Sequence, residues 1–270
     1  MPIKATEVFV PGSYPQYTYV ERQGHRFETT LRDALDTPGQ LVSLSGPSKS
    51  GKTVLVEKVV GRDSLITITG ASVQSAEDVW TQVLNWMDVP SSTSTSETRG
   101  ASVGASATGK GGVSIPLLAK AEAEGALSGE LKRENAVEST AERRGLSQVV
   151  HEIGNSEFVI LLDDFHYMLR TVQEEVAKSL KEAVRLGVKI VTASVSHRGD
   201  DVVRANPELR GRVKSIDLQY WNHAELEQLV LAGFDTLNIQ VDSAAIQRLI
   251  TESAGSPQLM QLLCLQSASS

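Results

Sequence analysis

The most constraining stretch of this 270-residue sequence is Gly46-Pro47-Ser48-Lys49-Ser50-Gly51-Lys52-Thr53. It follows an apolar run, Leu41-Val42-Ser43-Leu44-Ser45, and leads into a helix-compatible segment over 53–60. A glycine-rich loop set between a buried strand and a helix fits G-x-x-x-x-G-K-[ST], the spacing of a P-loop (Walker A motif). Backbone N–H groups of such a loop, with the helix N-terminus behind them, form a nest for a phosphate. Gly46 and Gly51 let the backbone wrap where a Cβ would clash. Lys52 would reach β- and γ-phosphate oxygens, and the Thr53 hydroxyl would ligate Mg²⁺. A loop that binds phosphate without hydrolysis is the alternative these residues leave open.

The remaining pattern supports a layered α/β core. Strands are predicted over 65–69, 157–163, 188–195 and 213–218. Helices are predicted over 76–87, with Val79, Trp80, Val83, Leu84 and Met87 on one stripe, and over 172–186, where Val172, Val176, Leu180 and Val184 recur every fourth residue. Apolar strands alternating with helices predict a mainly parallel sheet covered on both faces. After Leu218 the pattern turns all-helical, over 223–231, 243–253 and 256–265. The expected organisation is an α/β core over 1–219 and a small helical lid over 220–270. A Ser/Gly/Ala-rich insertion at about 90–140 interrupts the core. Residues 91–112 read as a flexible loop on composition. The alternation in Lys120-Ala121-Glu122-Ala123-Glu124-Gly125 leaves two readings open, a loop or a projecting hairpin that touches another subunit.

Net charge is −7, so no global basic field exists to hold nucleic acid or an anionic membrane. A local basic patch stays open, since Arg198, Arg204, Arg210, Arg212 and Lys214 share one short span. The single cysteine, Cys264, excludes an internal disulfide. The opening residues lack an apolar signal-peptide core, and no aliphatic run is long enough to span a bilayer. The expectation is a cytoplasmic protein with no membrane partner.

Two further segments carry chemistry. Phe158-Val159-Ile160-Leu161-Leu162-Asp163-Asp164 is an apolar strand ending in paired carboxylates. A carboxylate at the end of a buried strand is costly unless a cation or hydrogen bonds compensate it. Asp163 suits the Walker B role of holding Mg²⁺ through water, and Asp164 the role of polarising an attacking water. A solvated turn is the bland alternative. The strand over 188–195 ends in polar residues, and Ser194, Ser196 or Arg198 could sense a γ-phosphate if this strand lies between the other two. Ordinary strand-end capping accounts for each of them equally well. His197 reads as a surface histidine, with no second His or Cys at ligand spacing.

In this order the parts resemble the AAA+ and STAND ATPases, especially the origin-recognition-like and STAND branch. The resemblance spans about Tyr17 to Leu265. Tyr19-Val20-Glu21-Arg22 is similar to the family's hhGR-type box, which lines the adenine pocket; Glu21 stands in place of its glycine, and Val20 and Arg22 are the positions carried over. Pro207-Glu208-Leu209-Arg210-Gly211-Arg212-Val213 resembles the segment bearing arginine fingers, with Arg210 and Arg212 as candidates and Arg204 behind them. A solvated, ion-paired face is the alternative for these arginines. Gly255-Ser256-Pro257 resembles the G-x-P motif whose proline packs on adenine; locally, Pro257 suits a first helical position and Ser256 its N-cap. Residues 258–263 hold no arginine where many AAA+ lids place one, and Asp163-Asp164 replaces Asp-Glu; both favour that branch.

The resemblance implies an ATP- and Mg²⁺-dependent, hydrolysing switch, with a homo-oligomer completing the site and a protein effector or sensor as partner, as in bacterial defence or signalling. Hydrolysis by an isolated chain would then be slow. A second class is a DNA-associated AAA+ helper of transposition or replication, since Asp163-Asp164-Phe165-His166 is similar to the DE-x-H signature of such proteins. A P-loop small-molecule kinase is a third, with no acceptor-site motif to support it. Beyond the lid the sequence holds only Gln266-Ser267-Ala268-Ser269-Ser270, so the expectation is a chain that works with separate partners or belongs to a longer one.

Overall fold

The computed structural model describes residues 3–22, 24–89 and 145–269. The Ser/Gly/Ala-rich insertion, with its loop and hairpin readings, lies outside them, as does the side chain of His197. Five strands form one sheet: β1 Leu41–Ser45, β2 Leu65–Thr69, β3 Val159–Asp163, β4 Lys189–Ser194 and β5 Val213–Asp217. Their order is β2-β3-β4-β1-β5, and every pairing is parallel. Strand β4 therefore separates the P-loop strand from the strand that ends in Asp163, the placement the polar end of 188–195 required.

Alternation along each strand divides the core between two faces. Leu41, Ile66, Ile68, Ile160, Leu162 and Ile190 pack with helices α4 (Ala76–Trp86), α5 (145–153), α6 (Arg170–Arg185) and α7 (Asp201–Ala205). Val42, Leu44, Val159, Leu161, Val191 and Ala193 pack against α2 (Phe27–Leu35) and α3 (Lys52–Val60). The α6 stripe of Val172, Val176, Leu180 and Val184 is buried as its spacing predicts. On α4, Ser75 and Asp78 form a reciprocal capping box that fixes where the helix starts.

Three helices follow β5: α8 His223–Thr236, α9 Ser243–Ser253 and α10 Pro257–Ala268. Ser256 caps α10 by accepting from the Leu259 N–H, with Pro257 at the first turn. Their core is shared with the N-terminal segment, in which α1 is Ala5–Val8. Val8, Phe9 and Val20 join Leu226, Leu229, Val230, Phe234, Ile246, Ile250, Met260 and Cys264 in one cluster. The buried Gln261 amide accepts from the Val10 N–H (3.1 Å) and donates to the Thr18 hydroxyl (2.6 Å), tying that segment to α10. Among the described residues no helix is long and apolar enough to cross a membrane.

Helix α8 runs five residues past the predicted end at 231, through Gly233. Tertiary packing overrides propensity there. A Cβ on Gly233 would lie 2.2 Å from the Phe9 ring, which is fully buried against Phe234 with ring centroids 5.1 Å apart. Gly→Ala in an ordinary helix interior stabilises by about 1 kcal/mol. Here overpacking, typically about 1–3 kcal/mol, should outweigh that gain. Gly233→Ala is expected to lower the melting temperature, and a raised one would contradict this packing.

Candidate functional site

All five strands are parallel, so the segments that follow β1, β3 and β4 emerge at the same edge of the sheet. The loop over 46–53 leaves the fully buried β1 there. Gly46 is pressed against the exit of β5: a Cβ on it would sit 2.5 Å from the Leu218 carbonyl oxygen. Lys49 and Gly51 take positive φ, 66° and 95°, and Gly51 is the residue from which α3 starts. The alternating backbone turns the loop back over the first turn of α3, the geometry of an anion nest.

Lys52, buried at the start of α3, donates from Nζ to the Gly46 carbonyl (3.0 Å) and the Pro47 carbonyl (2.9 Å). An ammonium has three donors, so this arrangement fixes its position and keeps capacity for an anion oxygen. Burial pushes the Lys52 ammonium below its ordinary pKa, while Asp163 and Asp164 pull in the opposite direction.

The Thr53 hydroxyl donates to Asp163 Oδ2 at 2.6 Å, and Asp163 Oδ1 accepts the Asp164 N–H at 2.9 Å. A hydroxyl and a carboxylate in contact are the hard oxygen donors that Mg²⁺ prefers. Among the described residues no group of three His, Cys, Asp or Glu could hold a metal. As a hydroxyl and a carboxylate, Thr53 and Asp163 fit a cation that takes its other ligands from phosphate and water, as Mg²⁺ does. Asp164 has φ 55°, in the left-handed region that Asp tolerates better than most residues. Gly70, at the end of β2, makes room for it, because a Cβ there would lie 2.4 Å from the Asp164 carbonyl oxygen.

A cavity of about 600 Å³ opens above these groups. Ser48 to Leu55 with Asp163 and Asp164 line one side, and Pro257, Gln258 and Gln261 of α10 line the other. Segments 10–15 and 18–20 close a third. Val20 is buried and borders both the cavity and the lid core. Arg22 also borders it, but its guanidinium is already engaged. Nε donates to Glu225 Oε1 at 2.9 Å, and the other nitrogens donate to the Gln219 (3.1 Å) and Tyr220 (3.3 Å) carbonyls. Arg22 thus ties the N-terminal segment to the start of α8.

Other predicted residues lie outside the cavity. At the end of β4, Val195 lines it, whereas Ser194, Ser196 and Arg198 do not, among the described residues. Ser194 is buried in register with Ser45. Arg198 Nη1 lies 3.8 Å from Asp201 Oδ2, a carboxylate that is 1% exposed. Arg210 and Arg212 are exposed and precede β5, and the Arg212 carbonyl accepts the Leu41 N–H at 2.8 Å. They therefore sit at the edge where the strands begin, roughly 16 Å from the P-loop edge at 3.3 Å per residue over a five-residue strand. Arg210 borders a recess with Arg170 and Arg204 instead.

Three contributors gave no clear signal in sequence. Trp221 donates its indole N–H to the Ser50 carbonyl at 3.1 Å. Segment 10–15 has no periodicity to mark it as a cavity wall. Gly70 had one local cue, an isolated glycine at a strand end, which can mark a close backbone approach. Gly70→Ala should displace Asp164 and cost about 1–3 kcal/mol in urea unfolding, the usual range for overpacking; unchanged stability would show that the β2 and β3 ends are looser than this contact implies.

No protein-family model and no curated protein matches this sequence. Similarity to solved structures is extensive at low identity. The chain is similar to Cdc6p of Pyrobaculum aerophilum, with TM-score 0.58 and 14% identity, over 100% of this chain and 66% of that one. It is similar to the ORC1 protein of Aeropyrum pernix, solved in complex with DNA, with TM-score 0.61 and 13% identity, over 98% of this chain and 63% of that one. A Walker-type ATPase of Pyrococcus abyssi aligns with TM-score 0.59 and 15% identity, over 92% of this chain and 67% of that one. This chain spans less than two-thirds of the length of the Cdc6p and ORC1 structures. The fold is that of the AAA+ P-loop ATPases.

Proposed function

We propose that this chain binds and hydrolyses ATP with Mg²⁺ and acts as a regulatory switch of the AAA+/STAND type. One observation carries the reading: a single cavity is bounded by the P-loop, by Asp163 and Asp164, and by Pro257 on a separate helical layer. The loop N–H groups and Lys52 hold the phosphates, while Thr53 and Asp163 hold the metal, which when bound offsets charge on the phosphate oxygens. Asp164 orients the attacking water; being one methylene shorter than glutamate, it draws the water closer or turns over slowly. Pro257 packs on the base, with Val20 bordering the same space. The γ-phosphate favours one orientation of core and lid, because a ligand shifts populations by its differential contacts with each state.

Arg210 and Arg212 serve a neighbouring copy in this reading, since they lie at the far edge of their own sheet. Charge stabilisation in trans makes the active form a homo-oligomer and the isolated chain slow. Ser194 and Arg198 act in this reading after a rearrangement at the end of β4, with Arg198 leaving Asp201. The switch would act on a separate protein effector or sensor, with defence and signalling as the candidate settings. DNA association is the second reading, favoured by the similarity to ORC1 solved with DNA and by a recess bordered by Arg170, Arg204 and Arg210, with Asp200 facing Arg204 at 3.9 Å and Glu174 pairing Arg170. A net charge of −7 opposes it.

Lys52→Ala should reduce ATP affinity at least a hundredfold in equilibrium dialysis, and undiminished affinity would sink the assignment. Asp164→Asn should keep ATP bound and remove phosphate release; unchanged turnover moves the water-orienting role elsewhere. DNA added to the wild type decides between the two readings. Stimulated turnover that falls steeply with salt supports the DNA-associated one.

A further inference from the structure

Trp221 stands where β5 gives way to α8, and it touches the phosphate loop and the lid at once. Its indole Nε1–H donates to the Ser50 carbonyl, within the loop, at 3.1 Å. Its main-chain N–H donates to the Gly255 carbonyl, also at 3.1 Å. Gly255 opens the Gly255-Ser256-Pro257 turn, so one residue is bonded to the cradle on one side and to the cavity-lining proline's turn on the other. The turn fits tightly against it: Gly255 has φ 78°, and a Cβ there would lie 3.2 Å from Tyr220 and 3.3 Å from the Trp221 carbonyl oxygen.

The indole is itself held. The Arg22 guanidinium lies 5.5 Å from its ring centroid and 5.1 Å from that of Phe27, within cation–π range of both. Arg22 is anchored by Glu225, and Glu225 also closes the capping box with Asn222 at the start of α8. An indole has two side-chain torsions and a single donor, so once its ring is packed its N–H has one direction. The Ser50 bond is thus a spacer of fixed length between loop and lid.

We propose that Trp221 is a positioning residue that sets the distance between the phosphate loop and Pro257, and so determines how much the nucleoside adds to the affinity of the triphosphate. This rests on reading the cavity as the ATP site. The inference separates two ligands that a merely structural role would treat alike. Inorganic tripolyphosphate offers phosphates to the loop but no base to the lid proline; ATP offers both.

The test measures affinities of the wild type and of Trp221→Phe for ATP and for tripolyphosphate, each with Mg²⁺, by calorimetry. Phenylalanine keeps an apolar ring beside Arg22 and lacks the N–H. The expected result is a loss of about five- to tenfold for ATP, the equivalent of one hydrogen bond, with tripolyphosphate unchanged within about twofold. Equal losses for both ligands, or no loss for either, overturn the proposal. If Trp221→Phe does not fold, Gly255→Ala decides in its place: its Cβ would press on Tyr220 and on the Trp221 carbonyl, shifting Trp221 against the Pro257 turn while leaving the 48–53 loop residues in place, and it should show the same selective loss. A wild type that binds tripolyphosphate but gains nothing from the nucleoside overturns the ATP reading itself. That result is distinct from a wild type that prefers ATP and a variant that prefers it equally.

Discussion

The hydrogen bond from Thr53 to Asp163 depends on a strand to which neither residue belongs. β1 and β3 are not neighbours, because β4 lies between them and sets them two strand spacings apart, about 9.6 Å. Parallel register then brings their C-terminal ends to one edge, where the first turn of α3 can lean across to the carboxylate. A shift of β4 by one residue would turn Ile190 and Val191 to the wrong faces and so cost the core, not only the site. The burial that holds the sheet in register thus also holds the geometry of Lys52, Thr53 and Asp163 at the cavity edge. The same parallel arrangement carries Arg210 and Arg212 to the opposite edge, so their charge is directed away from the chain's own cavity.

At the cavity edge, burial is the largest electrostatic effect on Lys52. Lys52 is buried, which disfavours its charge, and two carboxylates nearby favour it. An ammonium in such a place does not roam. Its carbonyl partners at Gly46 and Pro47 belong to the loop it serves, so charge and loop shape are set together. Arg22 and Glu225 work by the same logic away from the 46–53 loop. Both are buried, and removing one partner would strand the other's charge at a cost of about 3–5 kcal/mol.

Much of this was legible in the residues, wherever one local rule applied. Loop 46–53 announces itself because glycine spacing and lysine position are both dictated by phosphate geometry. The β3 end is equally plain, since two carboxylates closing an aliphatic strand need a reason. Ser256 and Pro257 follow helix-start chemistry that depends on neighbours in sequence. Arg22 borders the cavity, yet its partners, Glu225 and two carbonyls about 200 positions away, follow no local rule. The same holds for Trp221 and Ser50, 171 positions apart. Gly233, inside α8 and beyond the predicted end at 231, is a related case: its cost to a helix is local, whereas the room it leaves for Phe9 serves a residue more than 200 positions earlier.

That last contact bears on how the chain is assembled in time. The Val10 N–H meets the Gln261 side chain 251 positions later, and Phe9 is buried in a cluster with residues of α8, α9 and α10. At a synthesis rate of about 5–20 residues per second, the interval between making the two partners is on the order of tens of seconds. Through that interval the sheet can close, but Val8, Phe9 and Val20 have no native surface to bury them. A growing chain therefore exposes this apolar segment until α8 and α10 have been made.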